Sequence, residues 1–367
     1  MKIIVMRLGT SDFGKIGTYN VQEVGLANAL IKKGHEVTVL YLNRPVSEVT
    51  QDESYPFVYY VPSKHIGLHG IFNVELMSRF SPESIILFSD NQLWAKNVIN
   101  WGRKNEVKVV HYFGNVLSDN PQWLHQFYTK LILKRNIGSY HHSVNVAKTN
   151  KVKNEMTRLQ VPCAGVIRVG LDDGILQKEK NKDLATRRAL NVADDETVIL
   201  FVGRLVDYKK PLLACDILKA FQERGNKASL YVIGKGPLEE TLQDYVKEQG
   251  LEESVHYIGR VNYEEMYKYF VACDCLINLS PKEIFGMTIL EAMYYGLPVI
   301  AHVAPGPNDI IRDGENGLLV DSEDVSVWIE KIQEALEKKE ALAHNSIADI
   351  TENYLWDQIA DQFLAFI

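Results

Sequence analysis

The 367 residues include only four cysteines, Cys163, Cys215, Cys273 and Cys275. They are too few and too scattered for a disulfide framework, and Cys273 and Cys275 do not stand at the spacing of a zinc-ligand pair. Core or strand cysteines in a reducing compartment are the expectation. No uninterrupted apolar run approaches the ~20 residues that cross a bilayer. The N-terminus, MKIIVMRLGTSD, has an apolar stretch too short for a signal-peptide core and carries Arg7. A cytoplasmic location is therefore expected. The chain has no internal repeat and no low-complexity tract. Its basic charge is modest and no nucleic-acid motif accompanies it, so no nucleic-acid partner is expected.

What is present is ordinary in amount and uneven in placement. A composition of 46% hydrophobic and 24% charged residues is that of a folded globular chain. The length suits about two domains of roughly 150 residues each. The net charge of −7 conceals an asymmetry. Residues 1–172 carry 20 Lys/Arg against 13 Asp/Glu, and residues 173–367 carry 20 against 34. Two domains with different partners are implied.

Short apolar runs alternate with helical patterns throughout. The first half offers KIIVM, EVTVLYL, FVYYV, SIILFS, VKVVHYF and AGVIRVG as strands, and the second TVILFVG, ASLYVIG, SVHYIG, DCLINLS, LPVIAH and GLLV. Between the first two, Val21, Val24, Ala27, Leu30 and Ile31 recur at helical spacing and Gly34 supplies a stop. Buried strands alternating with helices mean parallel sheets of the doubly wound type. The pattern restarts after the polar stretch ILQKEKNKDLATRRALNVADDE, which puts one domain at 1–172 and a second at 173–345, with DLATRRALN as its first helix. The last stretch, 346–367, holds the amphipathic YLWDQIADQFLAFI and reads as a helix returning to the first domain. Ligands favour the carboxyl edges of such sheets.

The loop GTSDFGKIG after the first strand nearly spells a phosphate-binding P-loop, and Asp90 in SIILFSD stands where a magnesium-ligating aspartate could. Ile16 occupies the Ser/Thr position, which removes a magnesium ligand, and a P-loop reading leaves the C-terminal motifs unexplained. Those motifs are the stronger signal. In SPKEIFGMTILEAMYYGLPVIA, Glu283 precedes a helix and Glu291 lies in its first turns. If the stretch were fully helical the two would lie roughly 12 Å apart at ~1.5 Å per residue. A carboxylate accepts two hydrogen bonds from a vicinal diol, and the helix N-terminus between them offers N–H groups to a phosphate. Acidic residues also favour helix starts for their own sake, so the pair alone leaves both readings open. Arg204 and Lys209 in LFVGRLVDYKKP follow a buried strand and can neutralise a diphosphate leaving group, although each alone reads as a surface cation. Gly234, Gly236 and Pro237 in YVIGKGPLEE add a third loop at a strand end.

Together FVGRLVDYKKP, VIGKGPLEETL, VHYIGRV, PKEIFGMTILEAMYYGLPVIA and IIRDGENGLLV resemble the donor-binding domain of the retaining family 4 glycosyltransferases. The N-terminal half matches more loosely, through the glycine loop, LANALIKKGHEVTVL and VVHYFG. The resemblance implies the GT-B fold: two Rossmann-like doubly wound domains facing a central cleft, with the C-terminal helix returning to the N-terminal domain. It implies that Arg204 and Lys209 bind the pyrophosphate of a nucleotide sugar, that Glu291 holds the ribose and that Glu283 contacts the donor hexose. Gly234 and the backbone of Phe285, Gly286 and Met287 would lie near phosphate and sugar, and Arg260 and Val261 near the base. His111 would face the donor sugar from the other domain. The glycine loop, with Gly14, Gly17 and the candidate contact Lys15, would close over sugar and acceptor.

The implied reaction moves a hexosyl group, with retention, from a UDP-hexose or UDP-N-acetylhexosamine to a hydroxyl of a glycan or lipid-linked acceptor, as in surface-polysaccharide assembly. No metal and no resident cofactor would be needed. Two departures stand out: Ile284 replaces a family glycine, which would bend the loop or narrow the pocket, and APGPND at 304–309 is atypical. A non-catalytic partner subunit, or an epimerase or phosphorylase on the same fold, are the alternative readings. His35 reads as structural, and the pair His141 and His142 is unassigned. Residues 122–158 carry seven Lys/Arg with one acidic residue and an aromatic edge. They read either as a helix on an anionic membrane at the inner face of the cell membrane, or as a solvated basic face.

Overall fold

A computed structural model describes residues 1–9, 21–42, 44–117, 123–172, 174, 176, 184–190, 192–193 and 195–367. The glycine loop with Gly14, Lys15, Ile16 and Gly17 lies outside the described residues. The chain forms two compact units: Met1–Asp172 together with Leu355–Ile367, and Asp173–Tyr354.

The first unit contains β1 (Lys2–Arg7), β2 (Glu36–Tyr41), β3 (Thr50–Gln51), β4 (Val58–Tyr60), β5 (Ser63–Ile66), β6 (His69–Phe72), β7 (Ser84–Phe88), β8 (Lys108–Phe113), β9 (Val144–Ala147) and β10 (Gly165–Val166). Eight of them make one sheet in the order β10-β9-β8-β7-β1-β2-β4-β3, parallel except for the edge pair β3–β4. β5 and β6 form a separate antiparallel hairpin. Helices cover the sheet faces, which is why Ile3 to Met6 of β1 and every residue of β7 are apolar or small and buried. The helix Gln22–Lys32 follows β1 as its spacing predicts, and Gly34 ends it with a φ of +85°.

Residues 122–158 are not one basic helix. They contain helices Trp123–Tyr140 and Asn150–Arg158 with β9 between them. The four-residue run VNVA is too short to announce itself, but it is β-branched, and Asn145 is held by its amide on the carbonyl of Tyr140 at 2.7 Å. The expected strand AGVIRVG shrinks to the two residues of β10, because β10 is the sheet edge and has only β9 to pair with.

The second unit contains β11 (Thr197–Val202), β12 (Ala228–Ile233), β13 (Val255–Gly259), β14 (Cys275–Asn278), β15 (Val299–His302) and β16 (Leu318–Val320). Its order is β13-β12-β11-β14-β15-β16, all parallel. The chain reverses direction of winding at β11, whose neighbours are β12 and β14. Phe201, Ile217, Phe221, Val232, Ile277, Ile300 and Trp328 meet in the core. Cys273 and Cys275 are buried thiols at the start of β14, the role expected of them. Arg187, on the helix Leu184–Ala189, is also fully buried, which nothing in its sequence context suggests.

The stretch 346–367 is divided. The helix Lys339–Asn353 ends in the second unit, and Trp356–Leu364 packs on the first. Between them Leu355 is extended and bridges Leu171, whose carbonyl accepts the Trp356 N–H at 3.0 Å. Trp356 fills a slot cut by two glycines: a Cβ at Gly25 would lie 2.3 Å from the indole, and one at Gly170 2.6 Å. Phe363 stacks edge-on to Tyr112 at 5.1 Å.

Candidate functional site

The winding reversal at β11 leaves a crevice at the carboxyl edge of the second sheet, the usual ligand position in open α/β sheets. Three loops there are sewn together by backbone hydrogen bonds. Gly203 N–H donates to Ile233 O at 2.9 Å, Leu205 N–H to Lys235 O at 3.1 Å, and Gly234 N–H to Gly259 O at 2.7 Å. Gly234 adopts a φ of +139°, and a Cβ on it would lie 1.9 Å from the Gly203 carbonyl. Only glycine allows this approach. Arg260 and Val261 follow directly after Gly259, with Arg260 exposed.

Lys209, from the loop after β11, forms an ion pair with Glu283, from the loop after β14. The same Glu283 oxygen accepts from Asn278 Nδ2 at 3.2 Å, a partner that the sequence motifs did not flag. Both Lys209 and Glu283 are largely buried. Arg204 is exposed and makes no ion pair among the described residues. One cation is thus committed to a carboxylate and the other is open to an incoming anion.

The left-handed step in this loop falls at Gly286, φ +93°, which caps the helix Met287–Tyr294. Ile284 has ordinary backbone and does not force the bend expected of it; the glycine two residues later carries the strained step instead. The 304–309 segment has its own glycine contact. Gly306 N–H donates to Glu283 O at 2.9 Å, and a Cβ there would lie 2.4 Å from Phe285 O. This glycine lets the helix Pro305–Ile310 press against the Glu283 loop.

Glu291, one turn into the helix, is 3% exposed, and its Oε1 has no partner. It borders a recess of about 10 Å³, room for one water, with Tyr263, Met266, Phe270 and Tyr295. Burial pushes its carboxyl up to about 8, and the Tyr263 hydroxyl facing it pulls the other way. The unfolded chain releases this proton near the ordinary glutamate value of 4.5. The stability tied to the proton is therefore complete below that value and lost as pH rises through about 8. A Glu291→Gln chain should melt close to the parent at about pH 5 and several degrees above it at about pH 8.5. A melting difference that does not change with pH would show the carboxyl to be ionised in place.

In the first unit the structure does not bring His111 to an open edge. It lies inside β8, fully buried, with Nε2 on the carbonyl of Ser89 and the Phe113 ring 3.9 Å away. Burial lowers it to about 3, so it is neutral. This placement is that of a strand-interior histidine. Asp90 does not stand free for magnesium either: one of its oxygens accepts the N–H groups of Gly114 and Asn115 at 2.8 and 2.9 Å. Lys148, at the end of the overlooked β9, lies over the Tyr112 ring at 4.9 Å and donates to Gln22 at 3.1 Å. Burial, with Arg7 adding to it, lowers Lys148 to about 8.

The sequence model of the family described as glycosyl transferases group 1 matches residues 183–351, the stretch that carries all the loops of the second unit. Residues 183–351 belong to the group 1 glycosyltransferase family. Along nearly its full length it is similar to an uncharacterised glycosyltransferase of Methanocaldococcus jannaschii, at 25% identity over 95% of this chain and 93% of the relative. The D-inositol 3-phosphate glycosyltransferase of Mycolicibacterium smegmatis is 28% identical over 49% of this chain and 42% of its own. Among solved structures, sucrose-phosphate synthase from Thermosynechococcus elongatus superposes with a TM-score of 0.74 at 19% identity, covering 100% of this chain and 98% of that one. Anabaena HepE in complex with UDP-glucose gives 0.72 at 18% identity, with coverage of 100% and 98%. The chain therefore has the GT-B fold. No helix among its described residues is long and apolar enough to cross a membrane.

Proposed function

We propose that this glycosyltransferase moves a hexosyl group from a UDP-linked sugar to a hydroxyl of a lipid-linked or surface-polysaccharide precursor, with retention at the anomeric carbon. The observation that carries the reading is the Lys209–Glu283 pair, held by Asn278 at the sheet crevice beside the exposed Arg204. A diphosphate would draw Lys209 off Glu283 and engage Arg204, which frees the Glu283 carboxylate to accept from sugar hydroxyls. Glu291 would hold the ribose, and Arg260 and Val261 would border the base. The anomeric C–O bond to phosphate breaks as the acceptor oxygen bonds to the same carbon from the same face. The acceptor proton passes to the departing phosphate oxygen. Arg204, Lys209 and the N-terminus of the helix Met287–Tyr294 stabilise that leaving group, and no side chain forms a covalent intermediate. HepE, solved with UDP and glucose, supports the choice of a uridine donor.

A thermal-shift panel of nucleotide sugars tests the donor. Stabilisation follows the logarithm of ligand over Kd, so the true donor should raise the melting temperature well above the corresponding nucleoside monophosphate, and hydrolysis of the same donor should follow. A panel in which no nucleoside diphosphate sugar shifts the protein would overturn the reading. Stabilisation without transfer or hydrolysis would mark a partner subunit instead.

A further inference from the structure

Eleven large apolar residues of the described chain are exposed, and five of them crowd into the first half of one helix. Trp123, Leu124, Phe127, Tyr128 and Leu131 are between 41% and 73% exposed. Their spacing puts 123, 127 and 131 in one row and 124 and 128 in the next, along a single edge of the helix Trp123–Tyr140. The core-facing side begins at Ile132, with Leu133, Asn136 and Tyr140. The row 124–128 runs on into the buried Ile132, Asn136 and Tyr140, whereas the row 123–127–131 runs on to the exposed Arg135 and stands apart from the packed face. Single exposed apolar side chains are ordinary; a contiguous set is a contact surface.

A second element joins it. The β5–β6 hairpin lies against this helix through the rings of His69 and Tyr128, 5.9 Å apart, and its tip carries the exposed Ile66 and Leu68. Residues 63–72 and 123–140 contain Lys64, Lys130, Lys134 and Arg135 and not one Asp or Glu. Lys64, Lys130 and Lys134 are exposed beside the apolar rows. Long lysine stems can lie along an apolar surface and carry their charges to a polar plane above it.

We infer that this helix and hairpin tip form a docking surface for an anionic lipid bilayer, with Trp123, Leu124, Phe127 and Leu68 entering the headgroup boundary and the lysines meeting lipid phosphates. A bilayer fits better than a protein, because the two elements join apolar side chains to uniformly positive charge, with no acidic residue in either to complement a partner of mixed charge. The inference stands independently of the donor site, and its test reads binding rather than transfer.

The test uses the full chain with vesicles of phosphatidylcholine alone and vesicles also carrying phosphatidylglycerol, at low and high salt. Partitioning into the anionic vesicles should exceed that into the neutral ones by about tenfold or more at low salt and fall by at least that factor at high salt. Trp123 is the one exposed tryptophan of five, so acrylamide quenching of the protein should drop when anionic vesicles are added. Joint replacement Trp123→Ser, Leu124→Ser and Phe127→Ser should abolish partitioning while leaving the melting temperature and donor stabilisation in place. The surface is misassigned if the parent chain ignores anionic vesicles at low salt, or if the triple variant binds them as well as the parent. It is equally misassigned if the parent forms a dimer in solution that the variant loses, which would give this face to a second copy.

Discussion

Arg204→Ala is expected to lower the turnover number for sugar transfer by about 10²–10³-fold, the usual cost of removing one preorganised group from a developing oxyanion. The loss should fall on kcat more than on KM, because the guanidinium meets its largest charge as the diphosphate departs. Arg204 is exposed and makes no ion pair among the described residues, so its removal should leave the melting temperature within about 1 °C of the parent. Lys209→Ala should cost as much in turnover but behave differently in the absence of donor, since among the described residues it leaves the side chain of the largely buried Glu283 with only Asn278 as a hydrogen-bond donor. Residues in one such network do not act additively. Lys209→Ala with Glu283→Gln should therefore lose less turnover than the product of the two single losses. Transfer rates on the donor found by thermal shift decide the matter, and an Arg204→Ala enzyme with full activity would remove this site from the chemistry.

The contrast between these two cations is a fair measure of how much the amino-acid sequence disclosed. That Arg204 and Lys209 sit after the same strand, and Glu283 after the next strand over, was legible because fully buried parallel strands are unbroken apolar runs with polar loops at fixed places. That one cation is paired and the other is not depends on side-chain reach across the crevice, which motif spacing does not encode. The same boundary separates the other successes from the failures. Glu291 could be assigned to a helix start from its position, but its burial beneath Tyr263 comes from the short turn Tyr263–Glu265, more than two dozen residues earlier in the chain. β9 was missed because four residues cannot establish a period. His111 reads in the sequence as a strand-end residue, whereas the strand runs on to Phe113 and buries the imidazole. The concern over Ile284 assumed that the left-handed step fell on that residue, whereas Gly286 takes it.

Arg187→Ala should cost about 3–5 kcal/mol, the range for removing one member of a buried ion pair, and lower the melting temperature of the second unit by roughly 10 °C. Its guanidinium is 1% exposed and ties together three segments. Nη1 donates to Ala272 O at 2.7 Å and to Asp274 at 2.9 Å, and Nη2 donates to Ala193 O at 3.2 Å and Glu196 O at 2.6 Å. In its absence three carbonyls lose a donor and a largely buried carboxylate loses one of its two cations. The loss is not total, because Asp274 keeps Lys339 at 2.9 Å and the Val198 N–H at 2.9 Å. That residual support makes the mechanism separable from simple loss of volume. Arg187→Met fills much of the space and should recover little stability. Arg187→Met combined with Asp274→Asn should recover more, since it removes a buried charge that has lost one of its two cations while the Asn side-chain oxygen can still accept from Val198. Denaturant melts of the parent, the two single variants and the double variant complete the cycle. Equal stabilities for Arg187→Ala and the parent would mean that water enters and replaces the guanidinium; additive losses would mean that Arg187 and Asp274 act separately. Neighbouring Arg188 shows why this residue escaped notice in the sequence. The two arginines are chemically identical and adjacent, and only the 100° step of the helix sends one into the core and leaves the other exposed.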